Sequence, residues 1–342
     1  MRLENVVALT HGELQNSPIV HTFENIVLDT KYLKRGDLFF AYNKTDITNA
    51  IQAGAYGVIF DSSIEIEDDE IAWIKVSDLD DALKRLSRFY IIEKGLKPVA
   101  CCKITHSLAH MFKTDREDLV VLDDVHIRTL FTQLATVAPN TYIVYSHHSI
   151  YADIFVGSID LDTQKISTTL ELCEHTLFEI SFVFETRYYE RQQISPFFVP
   201  YLHKLLNFYT QHAIDFKIKS FYNKVHFIPV FVNKNFEEQE FGSTQKVVIF
   251  EPDFEVAQQE IVFLQQQASW AKKTVFIPLE YKQKYYDECV TSTIDTIFYE
   301  NTQKLVEELH KCDAVFSCIV GKEPSFLQEC IITHTQPTLF DL

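Results

Sequence analysis

The chain has 342 residues, 46% of them hydrophobic and 13% aromatic, enough for sizeable cores and two or three domains of roughly 100–200 residues each. Against 31 basic residues stand 48 acidic ones, a formal net charge of −17 that repels phosphate backbones and anionic membranes and excludes a general nucleic-acid binder. No apolar run reaches the roughly 18–20 residues that cross a bilayer, and the opening "MRLENVVALTHGEL" turns polar too early for a secretory signal.

In chain order, the first 97 residues read as one unit. Gly36 and Asp37 form a tight turn, the glycine permitting a positive φ, and deliver an apolar strand from Leu38 to Tyr42. A helix-period stretch and a second strand, Gly57 to Phe60, complete a βαβ unit. The acidic run "EIEDDE" is a solvated loop, followed by a strand from Ile71 to Val76. Leu79, Ala82, Leu83, Leu86, Phe89 and Tyr90 then recur at three-and-four spacing, which predicts a helix capped by Ser77. "EKGLKP" reads as a linker.

From about 98 to 243 the pattern loosens. "LVVLDD" (119–124) and "TYIVYS" (141–146) are expected buried strands. "FVGSIDLDTQKISTTLEL" alternates on both sides of Asp162-Thr163-Gln164-Lys165, which predicts a hairpin. A helix is expected from Pro196, and "HFIPVFV" reads as a strand. From 244 onward strands and helices alternate: "KVVIF", then apolar residues at 254, 257, 261, 264, 268 and 271 on one helix face, then "TVFIP", "DTIFY" and "DAVFSCIV". Such alternation predicts a parallel, doubly wound sheet.

Glycine is scarce, 8 in the whole chain where about 7% is usual. No two glycines are five apart, so no GxxxxGK[ST] phosphate loop exists, and no GxGxxG dinucleotide fingerprint exists either. Seven cysteines, without a CxxC spacing, do not make a disulfide framework, and the expectation is a cytoplasmic protein with reduced thiols.

Residues 29–61 resemble the N-terminal domain of the Mur ligases, the ATP-dependent enzymes that extend the peptidoglycan stem peptide. The family's DSR, PGDLF and GA-A-VV stretches have counterparts in Asp29-Thr30-Lys31, in Lys34-Arg35-Gly36-Asp37-Leu38-Phe39 and in Ala53-Gly54-Ala55-Tyr56-Gly57-Val58-Ile59. "TIFYENTQKLVEELHKCDAVFSCIVGKEPSFLQE" is similar to the end of the family's C-terminal domain. The resemblance implies an α/β, three-domain Mur-ligase-like architecture: 1–97 the precursor-binding type of N-terminal domain, 98–243 a reduced central domain, 244–342 a Rossmann-like C-terminal domain. It also implies that Asp29, Thr30 and Lys31 bind substrate, since the family's serine and arginine there line a uridine-nucleotide pocket. Thr30 keeps a hydroxyl, and Lys31 keeps a charge without the planar fork; read from the residues alone, the stretch is a strand end with a solvated lysine.

The departures carry as much weight. The ATP loop belongs where "KITHSLAHMF" stands; Ile104 and Thr105 match, while His106, Leu108, Ala109 and His110 replace its working residues. Neither histidine nor alanine supplies the close backbone approach or the lysine that phosphoryl transfer uses. The downstream residues for magnesium and lysine carbamylation have no counterpart, and Gly321-Lys322 is only a faint echo of the family's KGS turn.

Among other candidates, His106 and His110 stand at i, i+4, a spacing that lets two imidazoles share a metal. Asp123, Asp124 and His126, and the pair His147-His148, are further clusters, but no HExxH is present and no metal is assigned. Cys101-Cys102 follows a buried strand, where thiols are inert. The expected function is a protein of peptidoglycan precursor metabolism that binds a UDP-muramoyl peptide or cell-wall synthesis proteins without catalytic residues, cofactor, nucleic acid or membrane insertion. Its alternatives are an active ligase or transferase with a rebuilt nucleotide site, and an interaction scaffold.

Overall fold

A computed structural model describes residues 1–66, 68–114, 118–218, 225–288 and 294–331, so Glu67 of the acidic loop lies outside the described residues. The chain forms two compact units, one of residues 1–103 and 116–163, the other of residues 104–115 and 164–342.

The first unit opens with helix α1 (Leu3–Thr10) and strands β1 (Glu13–Leu14), β2 (Ile26–Val27) and β3 (Leu38–Phe40). Helix α2 (Thr45–Gln52), strands β4 (Gly57–Phe60) and β5 (Ala72–Lys75) and helix α3 (Leu79–Glu93) follow. The strands make one sheet in the order β1-β5-β4-β3-β2, parallel except for β1. The turn before β3 is built as its residues require. Gly36 sits at φ 98°, and buried Asp37 accepts hydrogen bonds from Lys34 N (2.8 Å), Asn25 N (3.1 Å) and Asn25 Nδ2 (2.9 Å). The cap of α3 differs from expectation. Asp78, not Ser77, is the N-cap, its carboxylate accepting from Asp81 N at 2.7 Å, because only the residue directly before Leu79 can reach the third N–H of the helix.

Strand β6 (Lys97–Cys101) starts a second sheet. The chain then contributes helix α4 (Lys103–Ala109) and strand β7 (Phe112–Thr114) to the other unit, and returns with β8 (Leu119–Val121), α5 (Ile127–Thr136), β9 (Tyr142–Ser146) and β10 (Ile159–Asp160). The order is β10-β6-β9-β8, every neighbour parallel. One continuous core joins both sheets, running from Phe40 and Ile74 through Leu83 and Leu86 of α3 to Phe131 and Leu134 of α5 and Ile143 of β9.

The hairpin expected around Asp162–Lys165 does not form. Strand β10 pairs with β6 (Ile159↔Val99), whereas the residues after Lys165 enter the second unit. Alternation flanking a polar turn describes two edge strands of separate sheets as well as it describes a hairpin, and here the nearer partner in space is not the nearer one in sequence.

The second unit has an antiparallel sheet of β11 (Leu170–His175), β12 (Ile180–Phe184) and β13 (Arg187–Gln192), then helix α6 (Val199–Gln211) and strand β14 (Phe216–Ile218), which pairs antiparallel with β7. The last sheet comprises β15 (Ile228–Phe231), β16 (Val247–Glu251), β17 (Lys273–Pro278), β18 (Asp295–Tyr299) and β19 (Phe316–Val320), with helices α7 (Phe254–Gln267), α8 (Lys282–Glu288), α9 (Thr302–Lys311) and α10 (Leu327–Cys330). Its order is β15-β16-β19-β17-β18; β15 is antiparallel and the other four are parallel, as the strand–helix alternation predicts. Helix α7 stops short of residue 271: Ala268 leaves helical angles (φ −115°, ψ 40°), and the Lys273 ammonium accepts the role of capping group by donating to Ala268 O at 2.6 Å.

A polar cluster is buried in this unit. Glu251, at the end of β16, accepts from Phe227 N (3.1 Å) and Asp253 N (2.8 Å), and lies 3.0 Å from His226 Nδ1. Glu260 of α7 is wholly buried nearby; burial first, then the Glu251 charge, raises it well above the ordinary carboxylate range and favours its neutral form. Burial likewise holds the Cys318 thiol far above its usual value. Among the described residues no helix is long and apolar enough to cross a membrane.

Candidate functional site

In an open parallel sheet, ligands meet the chain beyond the carboxyl ends of the strands, where the strand order changes direction. Strand β6 stands between β9 and β10, so the chain passes from one side of β6 to the other at this edge. Register pairs Cys101 with Ser146 and Asp160 with Ala100, which brings Cys102, His147, Asp160 and Asp162 to the same end. The backbone fixes them there: His147 N donates to Cys101 O and Leu161 N to Ala100 O, each at 2.9 Å.

The side chains converge. His147 Nε2 lies 3.2 Å from Asp160 Oδ1 and 3.3 Å from Asp162 Oδ2. Asp162 N donates to Asp160 Oδ1 at 2.9 Å, and Asp162 Oδ2 accepts from Cys102 N at 2.8 Å. One imidazole nitrogen and two carboxylate oxygens, all within 4.8 Å of one another, form a donor set of the kind that holds a divalent cation. The neighbouring thiol is not a nucleophile. Burial first, then Cys102, Asp162 and Asp160, push Cys101 far above the usual thiol range, and the thiol reaches towards Tyr145 O at 3.6 Å.

The residues expected to bind substrate lie elsewhere in the same unit. Thr30–Tyr32 is a single 3-10 turn whose cap is Asp29, its Oδ1 accepting from Lys31 N at 2.9 Å. The Lys31 ammonium lies 5.5 Å from the centre of the Tyr32 ring. Thr30 is half-buried, Asp29 and Lys31 exposed. His106 and His110, on α4 and just after it, have rings 5.2 Å apart and edge to face. His126 caps α5, its Nδ1 accepting from Arg128 N at 3.3 Å. Of the constellation at the sheet edge, the sequence singles out His147, as half of a histidine pair, and Cys102, as half of a cysteine pair. Asp160 and Asp162 were hidden by the hairpin expectation, which made Asp162 a turn residue. The signal available was the acid-apolar-acid run Asp160-Leu161-Asp162 at the end of a short strand.

A mixed sheet, an all-parallel sheet with a polar carboxyl edge and a doubly wound terminal sheet together define the α/β multi-domain fold of the Mur ligases. Among solved structures, the chain is similar to a MurF from Acinetobacter baumannii at 10% identity and a TM-score of 0.55, over 96% of this chain and 98% of that one. A MurF ligase from Thermotoga maritima in complex with ADP aligns at 12% identity over 90% and 96% of the two chains, with a TM-score of 0.49. The UDP-N-acetylmuramate-alanine ligase MurC from Thermotoga maritima aligns at 10% identity over 86% and 84%, with a TM-score of 0.40. At such identity the likeness is one of fold. No protein-family model and no curated protein matches the sequence.

Proposed function

We propose that this is a Mur-fold protein of peptidoglycan precursor metabolism that has given up ATP-driven ligation and acts by binding, its ligand being a UDP-muramoyl-type precursor or the proteins that handle one. The observation that carries this reading is the contact between Asp162 and Cys102. At the point where the Mur phosphate loop would leave its strand, the chain has no glycine, and the backbone N–H of Cys102 already donates to one of its own carboxylates. A second carboxylate, Asp160, stands beside the first. Negative charge at that position opposes a polyphosphate, and the absence of glycine there denies it a concave row of N–H donors. The N-terminal spelling from Asp29 to Ile59 supports retained precursor recognition, with Thr30 and Lys31 as its contacts. A thermal-shift series with UDP-N-acetylmuramoyl peptides, UDP-sugars and Mg-ATP tests the reading. Stabilisation by the muramoyl nucleotide and none by Mg-ATP is expected; stabilisation by Mg-ATP overturns the loss of ligation.

A second reading, an active ligase or transferase with a rebuilt nucleotide site, is favoured by one feature. His147, Asp160 and Asp162 offer three metal-ligating atoms at the carboxyl edge. A metal held there would offset the two carboxylates and supply Lewis-acid chemistry to a phosphate. Calorimetry with Mg2+ or Mn2+ alone separates the two readings: a cation that binds the wild type and not His147→Ala supports the second.

A further inference from the structure

The second unit has a cavity of about 610 Å³ that lies away from the carboxyl edge of its sheet. It opens at the opposite, amino end of the parallel strands: Val247 begins β16, Phe316 begins β19, and Trp270 precedes β17. Five aromatic rings line it in a connected series. Trp270 meets Phe316 at 5.9 Å, Phe316 meets Phe178 at 5.9 Å, Phe178 meets Phe231 at 5.8 Å, and Phe231 meets Phe241 at 4.9 Å. Trp270 is 76% exposed although it belongs to the wall of an apolar cavity, and Phe241 is 39% exposed. Large rings left in water around a concave space lose the free energy that a ligand's surface would restore to them.

One charged group is aimed at the same wall by an unusual backbone. Between Ile180 and Phe182 the register with β13 shifts, so β13 carries an extra residue. Bulges of this kind re-aim a side chain and favour glycine in the left-handed region. Here the residue is Arg191, at φ 46°, its N–H donating to Ser181 Oγ at 3.0 Å. A non-glycine residue held there costs about 1–3 kcal/mol. The guanidinium Nε reaches Glu179 Oε1 at 3.2 Å, and both residues line the cavity. The volume suits a drug-sized molecule, and the lining, more than half apolar with its five aromatic rings beside a smaller set of polar groups, is that of a small-molecule site rather than a flat protein-docking face.

We infer that this cavity is a binding site for a small planar aromatic anion, its rings packed among Trp270, Phe241 and Phe316 and its acidic group paired with Arg191. The site is independent of the precursor binding proposed above. Arg191 exchanges or shares its bond with Glu179 when the ligand's anion arrives, and the exposed indole closes over the rings.

The chain contains its own reporter, since of its two tryptophans Trp73 is completely buried in the first unit and Trp270 is exposed in the second. The test titrates the full chain with anilinonaphthalene sulfonate, a bicyclic aromatic anion, and with its uncharged relative N-phenyl-1-naphthylamine, reading probe fluorescence and quenching of Trp270. One sulfonate per chain is expected. Trp270→Ala removes the quenching and weakens binding about tenfold or more. Arg191→Gln weakens the sulfonate by about ten- to a hundredfold while leaving the neutral probe within twofold, as loss of one charge-assisted contact requires. No saturable binding, more than one sulfonate per chain, binding unmoved by Trp270→Ala, or equal weakening of both probes by Arg191→Gln overturns the inference. Both positions are exposed, and unchanged urea midpoints for the variants exclude misfolding as the cause.

Discussion

The carboxylate of Asp162 holds the backbone N–H of Cys102 at 2.8 Å, so the first residue beyond β6 is bound to a residue sixty positions later in the chain. That bond ties the exit of β6 to the exit of β10. The same oxygen, Asp162 Oδ2, that makes this bond also lies 3.3 Å from His147 Nε2.

Removing it should therefore be felt as stability. Asp162→Ala leaves Cys102 N and His147 without this acceptor and is expected to cost about 1–3 kcal/mol in urea unfolding. Asp162→Asn keeps an acceptor oxygen and should cost less than half as much. An alanine variant as stable as the wild type would show that the contact is incidental.

The turn before β3 should be more sensitive still. Asp37→Ala removes three accepted hydrogen bonds from a buried position, and a loss of about 3–5 kcal/mol is expected. Gly36→Ala adds a Cβ at φ 98°, only 3.0 Å from Glu24 Cγ, and should cost about 1–3 kcal/mol. Thermal unfolding of both variants checks the ranking, and an alanine at 36 that stabilises the protein would refute the assigned strain.

The buried Glu260 gives stability a pH dependence with a definite sign. Its folded value is raised, so the folded chain keeps a proton that the unfolded chain releases. Below the unfolded carboxylate value, about 4.3, both states are protonated and no penalty exists. As pH rises from there towards the raised folded value, stability falls by up to about 1.4 kcal/mol per pH unit from this one group. Glu260→Gln, neutral in both states, should remove that slope, so the variant gains on the wild type as pH rises from the unfolded carboxylate value towards the raised folded one. Parallel pH profiles for the two proteins would mean that Glu260 is ionised in the fold.

If a UDP-muramoyl ligand binds, Lys31→Ala is expected to weaken it about ten- to a hundredfold, the worth of one charge-assisted hydrogen bond. Calorimetry on Thr30→Ala and Lys31→Ala decides this. Unchanged affinity in both moves the precursor site away from the 3-10 turn, and no binding by the wild type leaves the protein-interaction reading in its place.

What the sequence made legible follows from local rules. Gly36 and Asp37 announce their turn because only glycine enters the left-handed region cheaply and only a short acid reaches back to its own backbone. The terminal sheet is legible because each strand is followed by a helix of one consistent period. Asp160 and Asp162 were not legible, since their meaning depends on β10 pairing with β6, 60 residues earlier, and alternation does not say which partner a strand chooses. Cavity and bulge around Arg191 were equally silent: an arginine at positive φ breaks the propensity rule that sequence patterns rely on, and the rings of the cavity come from positions as far apart as Phe178 and Phe316.

Strand β7 lies between two stretches of the first unit yet pairs with β14 in the second, Phe112 opposite Ile218. No single peptide bond therefore separates the two units. A fragment ending near residue 163 carries an orphan strand whose partner has not been made, and a fragment beginning there lacks one edge of its own sheet. During synthesis the same holds in time: the ribosome releases β7 about a hundred residues before β14, so the second unit stays open while the first can close.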